Sequence, residues 1–363
     1  MYKFRALVYH APPASGSLEG YLSRLKIDEV KRLVEELSKR REVWSVRIVC
    51  PPVYEASSTF NVSMEKFLET FYDTVIKTVN YVAFPLSWLE SGKLAELMLS
   101  FERAYFSVVY SEKLASEIIK ALREIPEKAG WLAGSRFAIS FGKRPVTSYF
   151  PVTTSETEGY TLSLLYPSHV EKEISEGMAL PDSLRKTVLD AYRIVYDALD
   201  NVNATTPFHG IDLSLSPWQK DSVASFVEKL QGIPFGNPGT ISTIKAINEA
   251  LLLLASSLKT IGFNEVMLPL AEDDRLKELA STGQIAFKDF LYLTLVCVVG
   301  LDMIPLPSTT DDVVLRGLIR DLETAKKIKG RTLGMRILLV DAEPGTEVDL
   351  GFFGRTPVLD PLC

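Results

Sequence analysis

The feature that most limits the fold of this chain is a regular alternation of strand-like and helix-like segments along its whole length. Ten short segments have strand patterning, and amphipathic helices connect most of them. The strand segments are 3–13, 44–52, 80–88, 105–112, 135–152, 159–167, 208–216, 264–271, 300–307 and 333–343. Such alternation predicts an α/β protein with a mostly parallel sheet and helices outside it.

Ten strands require either a very wide sheet or a closed one. The pattern of segment 210–216 favours closure, because Ile211, Leu213 and Leu215 face one way and three polar residues face the other. A parallel strand covered by helices on both faces would be apolar on both. One polar face therefore indicates a wet lumen or cleft, with an open doubly wound sheet as the alternative. No linker or low-complexity stretch divides residues 1–363, so the sequence predicts one domain.

Composition narrows the range of partners and compartments. The net charge of −6 and the absence of a basic, aromatic-rich stretch argue against nucleic acid as a partner. No apolar run approaches the ~20 residues of a membrane span. Three cysteines without a C-x-x-C motif argue against a disulfide framework or zinc site, and residues 1–5 do not resemble a signal peptide. We expect a cytoplasmic protein without a membrane partner, whose apolar helices suit contacts in a homo-oligomer.

Several stretches in the second half of the chain resemble a family of uncharacterised bacterial and archaeal proteins, a domain of unknown function. The similar stretches are IDLSLSPWQKDSVA, FGNPGT, GFNEVMLPLAEDD, CVVGLDMIPLPSTT and GTEVDLGFFGRTPVL. The resemblance is close from about residue 205 onwards and looser before it. The fold of this family is grouped with the glycyl radical enzymes related to pyruvate formate-lyase.

The resemblance implies a closed ten-stranded α/β barrel made of two five-stranded parallel halves, with helices outside. It implies no established reaction. The C-terminal stretch GFFGRTPVLDPLC lacks the R-V-x-G-type motif of glycyl radical enzymes, and Cys297 lies in a helix-like apolar run. We therefore do not expect radical chemistry, since a fold does not by itself supply a function.

The polar face of the predicted inner strands supplies the main candidates for ligand binding. On segment 208–216 they are Asp212, Ser214 and Ser216, and on segment 300–307 the candidate is Asp302. Buried carboxylates need partners, and Arg5, Arg47 and Arg336 stand in similar positions on other strands. These polar residues either bind a ligand or form a hydrogen-bond network inside the barrel.

A second set of candidates lies where predicted strands end and helices begin. Glu272 and Asp273 follow a strand, at the end where ligands gather in parallel α/β folds, although Asp273 also suits the start of the next helix. If Asp212, Glu272, Asp273 and Asp302 converged, they would suit a divalent metal such as Mg²⁺.

Exposed amides at helix starts form a third set. Ser222 begins one predicted helix, and Gly239 and Thr240 begin another after a glycine-rich loop, so these amides could bind an anion. Both starts are also ordinary caps. His209 and His10 flank strand ends, where a histidine could act as a general base, although most such residues are structural.

From the residues we expect an enzyme that binds a small polar or anionic metabolite inside the barrel. Its reaction and any cofactor are unknown. The alternative is a non-catalytic metabolite sensor or assembly protein on the same fold.

Overall fold

The computed structural model describes residues 1–363, except for the side chain of Ser91. The strands are β1 Lys3–His10, β2 Val46–Val49, β3 Tyr81–Leu86, β4 Ala104–Val109, β5 Phe137–Phe141, β6 Gly159–Leu165, β7 Phe208–Asp212, β8 Leu301–Pro307, β9 Leu333–Val340, β10 Glu347–Asp349 and β11 Arg355–Pro357. The helices are α1 Leu18–Ser23, α2 Ile27–Ser38, α3 Val53–Phe60, α4 Met64–Val75, α5 Ser91–Ser100, α6 Ala115–Ala129, α7 Pro167–Ser175, α8 Leu180–Asn201, α9 Val223–Gln231, α10 Thr240–Ala255, α11 Asp274–Ser281, α12 Phe287–Leu293 and α13 Asp312–Lys329.

Across the described residues, nine strands form one large sheet in the order β7-β6-β1-β2-β3-β4-β5-β9-β8. Strands β1 to β5 run parallel to one another. Strands β6 and β7 are parallel to each other, as are β8 and β9, and each pair joins the first group through an antiparallel contact. The predicted mixed α/β fold with a mostly parallel sheet is therefore confirmed. None of the described helices is long and apolar enough to cross a membrane.

Helix α13 has a capping residue at each of its ends. In α13, Asp311 accepts a hydrogen bond from the amide of Val313, and Gly330 takes the left-handed conformation at the other end. Between them Leu315, Leu318, Ile319 and Leu322 are buried on one side. Burial of each such side chain contributes about 2 kcal/mol to stability. The apolar residues of 311–328 recur with a period of 3.6, so the sequence predicts a helix there, and the structure confirms it.

The strands separate two different environments. Alternate side chains such as Leu7 and Tyr9 join the main core with the helices, whereas Ala6 and Val8 point to the other face, which we call the inner face. The chain between β5 and β6, residues 142–158, packs on the inner face and is called the inner segment. Its Phe150 packs against the inner-face cluster that contains Ala6 and Val8. The sequence predicted strand up to residue 152, but β5 ends at Phe141.

The strand predicted at 264–271 does not form as a regular strand. Gly262 and Asn264 both have positive φ, at 80° and 58°. Residues Leu270–Glu272 form a short 3-10 turn after Pro269, which has no amide hydrogen to donate. The segment is therefore extended with isolated bridges, of which Leu215 to Val266 is one.

Candidate functional site

The polar residues at the end of β7 face the inner segment and a neighbouring loop. Asp212 is fully buried and accepts five hydrogen bonds, two of them from the amides of Phe263 and Asn264 at 3.0 and 3.1 Å. The Thr147 hydroxyl, 2.6 Å away, and the amide and hydroxyl of Ser214 donate the other three. Both carboxylate oxygens are thus occupied by the protein itself. Asp212 holds the inner segment and the 262–264 loop against β7.

The same hydrogen-bonding region continues to Ser216. The Tyr149 hydroxyl donates to the carbonyl of Ser214 at 3.1 Å and lies 3.0 Å from the Ser216 hydroxyl. Tyr149 belongs to the inner segment, so this contact fixes the segment a second time. Ser216 and Tyr149 also line a cavity, whereas Asp212 and Ser214 do not.

Two buried arginines and two buried carboxylates form a charged cluster beside that cavity. Glu272 accepts from Arg5 at 2.6 Å and from Arg336 at 2.9 Å, so its two oxygens join the two guanidinium groups. Arg336 also donates to both oxygens of Asp302, at 2.6 and 3.0 Å. Asp302 and Arg336 are register partners on β8 and β9. With both carboxylates ionised, these four charges cancel.

Burial and ion pairing shift the pKa values of this cluster in opposite directions. Burial raises the pKa of Glu272, but the charges of Arg336 and Arg5 outweigh it and hold the pKa below its ordinary value. At Asp302 burial outweighs the attraction of Arg336, and the pKa is raised. Burial disfavours charge on Arg336, but Asp302 and Glu272 more than offset it and raise its pKa. Glu272 is therefore the firmly ionised member of the cluster, and Asp302 is the one closest to protonation.

Arg47 differs from the other two arginines. It is 9% exposed, and it forms no ion pair with a carboxylate among the described residues. Its Nε donates to the hydroxyl of Ser45 at 2.9 Å, and one terminal nitrogen is 3.4 Å from the carbonyl of Ser148. The other terminal nitrogen has no hydrogen-bond partner in the described protein. Burial and the charge of Arg5 lower the pKa of Arg47 to about 10, so it stays charged at neutral pH.

A cavity lies between these charged groups and is walled mainly by aromatic rings. The enclosed volume of the cavity is about 70 Å³, so its occupant must be small. Arg5, Arg47, Glu272, Asp302 and Arg336 all line it. The aromatic lining residues are Trp44, Tyr81, Tyr105, Tyr149, Phe150, Trp218, Phe352 and Phe353.

Four predicted ligand-binding residues therefore meet at one place, and Glu272 joins them. These four are Arg47, Ser216, Asp302 and Arg336. No metal site forms from the predicted carboxylates, because Arg336 lies between Glu272 and Asp302 and the carboxylates of Asp212 and Asp273 are bonded elsewhere. Within the described residues, no group of three His, Cys, Asp or Glu could hold a metal ion.

The remaining candidates lie outside the cavity, where they cap helices or form hydrogen bonds within the protein. Ser222 begins α9 and donates to Asp273, while Asp273 also accepts from amides at the starts of α9 and α11. Gly239 and Thr240 begin α10, and the Thr240 hydroxyl bonds within its own loop. His209 contacts the hydroxyl of Thr157 at 3.2 Å.

His10 has no access to a ligand. It is fully buried between the carbonyl of Thr154 and the hydroxyl of Thr161. Burial lowers its pKa to about 3, so the ring is neutral at physiological pH. A structural role follows for this residue.

Sequence reasoning missed most of the cavity wall. Tyr81 and Tyr105 lie on β3 and β4, where aromatic residues at alternate positions look like ordinary strand residues. Only the strand register of the structure reveals them, because it places Arg47 directly beside Tyr81 across the β2–β3 pair. The contributions of Trp44, Trp218 and Phe352 come from connecting segments, which have no periodic pattern to read.

Comparison with known proteins identifies the family of this chain. The family model described as "Uncharacterised ACR (DUF711)" matches residues 109–350, more than half of the chain. A protein named UPF0210 from Lacticaseibacillus paracasei is 31% identical over 176 residues, which cover 46% of this chain and 38% of the relative. Another from Desulforudis audaxviator is 32% identical over 161 residues, covering 42% and 35%. The matched stretches span well under half of each relative. Because the family model covers more than half of this chain, the chain belongs to the uncharacterised DUF711 family.

Proposed function

We propose that this protein binds a small anionic metabolite in the aromatic cavity, with Arg47 as the residue that pairs with the anion. The observation that carries the proposal is the buried guanidinium of Arg47, which lines the cavity and has no carboxylate partner among the described residues. Arg5 and Arg336 are neutralised by Glu272 and Asp302. The charge of Arg47 is therefore not balanced, and the cavity has a net charge of one positive unit. A buried charge without a partner is costly, and a bound anion would remove that cost.

We also propose that the sheet closes into a ten-stranded barrel around this cavity. Strands β7 and β8 are the two ends of the sheet order, and both approach residues 260–268. The amide of Met267 donates to the carbonyl of Leu215 just after β7, and the amide of Val298 donates to the carbonyl of Val266 just before β8. In this arrangement the extended segment 260–268, which forms only isolated bridges, takes the place of the tenth strand. It completes a second parallel half with β6, β7, β8 and β9.

Catalysis is the form of this function that we favour, with Asp302 as the acid–base group. Asp302 lines the cavity, and burial raises its pKa, which brings a carboxyl group closer to the range where it exchanges a proton. Arg336 is shared between Asp302 and Glu272, so a shift of this guanidinium towards Glu272 would free Asp302 to act on the ligand.

A non-catalytic sensor is the second candidate, and one observation favours it. Both oxygens of Asp302 accept hydrogen bonds from Arg336, and both oxygens of Glu272 are held by arginines. A carboxylate held in this way is a poor base as long as the pairing persists. Under this reading Asp302 and Glu272 only orient Arg336 and Arg5.

Native mass spectrometry of the full chain, purified without added ligand, tests the binding proposal. We expect a small anionic molecule to copurify with the wild type and to be lost from Arg47→Gln. Thermal unfolding in acetate, formate or inorganic phosphate, each against chloride at equal ionic strength, gives a second readout. Retention of the same molecule by Arg47→Gln, or equal responses of both proteins to every anion, would contradict the proposal.

Asp302→Asn then separates the two candidates. The molecule identified by mass spectrometry is incubated with the wild type and with Asp302→Asn, and the solution is analysed for a product. An enzyme converts it in the wild type only, while the variant still binds it. Binding without conversion in either protein favours the sensor.

A further inference from the structure

The aromatic wall of the cavity consists of two groups of rings. Around Arg47, the rings of Tyr81 and Phe150 lie with their centroids 5.9 and 5.2 Å from its guanidinium carbon. Tyr105 joins this group, with its centroid 5.4 Å from Tyr81 and 5.8 Å from Phe150. The hydroxyls of Tyr81 and Tyr105 have no hydrogen-bond partner among the described residues. The positive charge of Arg47 is therefore surrounded by aromatic rings where it faces the cavity.

A second group of rings covers another part of the wall. Trp44 and Trp218 are 4.5 Å apart between centroids, and Trp218 lies 5.9 Å from Phe352. Phe352 is 54% exposed, so this end of the wall reaches the protein surface. The cavity therefore has aromatic rings on which a planar ligand can stack and a cation that can pair with an anionic group.

The charge balance discriminates between classes of anion. With Asp302 and Glu272 both ionised, the excess in the cavity is one positive charge, which matches a carboxylate, whereas a phosphate carries closer to two negative charges at neutral pH. A second free cation would be needed to balance a phosphate, and Arg5 and Arg336 are already bound to Glu272.

We infer that the ligand is a small monocarboxylate with a planar, conjugated body of about one ring. Its carboxylate pairs with Arg47, and the Tyr81 and Tyr105 hydroxyls stand beside the same cavity. Its planar body lies among the aromatic rings. The inference rests on the proposed function, because it names the chemical class of the anion that Arg47 binds. The enclosed volume is only about 70 Å³, so a one-ring body extends from it towards the open end of the cavity at Phe352.

Titration calorimetry on the full chain tests this with a set of related probes. We use benzoate, cyclohexanecarboxylate, acetate, benzamide and phenyl phosphate. We expect benzoate to bind at least tenfold more tightly than each of the others. Arg47→Gln should weaken benzoate binding at least tenfold. The matched control is Arg41→Gln, which removes another arginine that lies over a tyrosine ring and pairs with a carboxylate, but outside the cavity.

A second variant keeps the test decisive if Arg47→Gln does not fold. Phe352→Ala removes a partly exposed ring from the wall and leaves the charges in place. We expect it to lower the ratio of benzoate to acetate affinity several-fold. An unchanged ratio would overturn the inferred aromatic body.

The outcomes separate this inference from the proposed function. Phenyl phosphate binding more tightly than benzoate, with both dependent on Arg47, would overturn the monocarboxylate and leave anion binding intact. Equal affinity for benzoate and cyclohexanecarboxylate would overturn the planar body alone. If no probe binds in a manner that depends on Arg47, both proposals fail.

Discussion

Two regions of the inner face carry buried polar side chains, and they differ in whether the protein itself satisfies them. At the end of β7, Asp212 accepts five hydrogen bonds from neighbouring chain segments. On β2, Arg47 has hydrogen-bond partners for only part of its guanidinium and no carboxylate partner. Burial and polarity are alike in both regions. What distinguishes a structural group from a candidate ligand group is the complete inventory of its partners.

The largest effect should come from breaking the charged cluster. Glu272→Ala leaves Arg5 and Arg336 buried without the carboxylate that joins them, and we expect the free energy of unfolding to fall by about 3–5 kcal/mol. Chemical denaturation measures this. Glu347→Ala, at a solvent-exposed pair with Arg355, is the control and should change little. A small effect at Glu272 would mean that the cluster is not a structural unit.

The next effect concerns Asp212. Asp212→Asn replaces one of the two acceptor oxygens with an NH2 group, which then faces groups that also donate. We expect a loss of about 2–3 kcal/mol in the free energy of unfolding. Ligand binding by the folded protein should persist, since Asp212 does not line the cavity. The sequence left two roles open for Asp212, a ligand contact and a structural hydrogen-bond network, and this prediction takes the second. Lost binding with unchanged stability would favour the first.

A third effect is the pH dependence of stability that His10, another buried residue with its hydrogen bonds satisfied, should cause. His10 has a folded pKa of about 3 because of burial, below the ordinary value of 6.5. Between these values the unfolded chain binds up to one more proton, so His10 favours the folded state above pH 6.5. This contribution is lost as the pH falls, by about 1.4 kcal/mol per pH unit. Because glutamine does not titrate, we expect His10→Gln to lose stability less steeply than the wild type between pH 6.5 and 4. Parallel curves for the two proteins would contradict this.

The smallest effect on stability should come from the residue most important for binding. Arg47→Met replaces a buried charge without a carboxylate partner by an apolar side chain of similar length, so stability should change by less than about 1 kcal/mol or increase. Thermal and chemical unfolding of the ligand-free proteins measure this. A loss comparable to that of Glu272→Ala would place Arg47 with the structural groups and remove the contrast.

Much of the fold could be predicted because the strands carry their own patterns. The segments around β1, β7, β8 and β9 were located within a few residues. The failure at 264–271 has a local cause in the left-handed residues Gly262 and Asn264 and in Pro269. Helix α3 was missed although its buried residues Val53, Ala56 and Ser57 have helical spacing, because the segment is only eight residues long and directly follows two prolines.

The site was predictable only in part. Alternation correctly placed Arg47, Asp302 and Arg336 on a shared polar face, since period-2 patterns report which way a side chain points. They do not report what occupies the space in front of it. The inner segment fills the region before Asp212 with Thr147 and leaves a cavity beside Arg47. That outcome depends on long-range packing of a connecting segment.

The hydrogen bonds of Asp273 determine how the helices around it unfold locally. Its carboxylate accepts from the amides of Val223 and Ala224 at the start of α9, and from those of Arg275 and Leu276 at the start of α11. Two helix starts far apart in the chain therefore share one acceptor. In native-state hydrogen exchange, the first turns of α9 and α11 should exchange as one cooperative unit, because releasing either end frees the carboxylate from both.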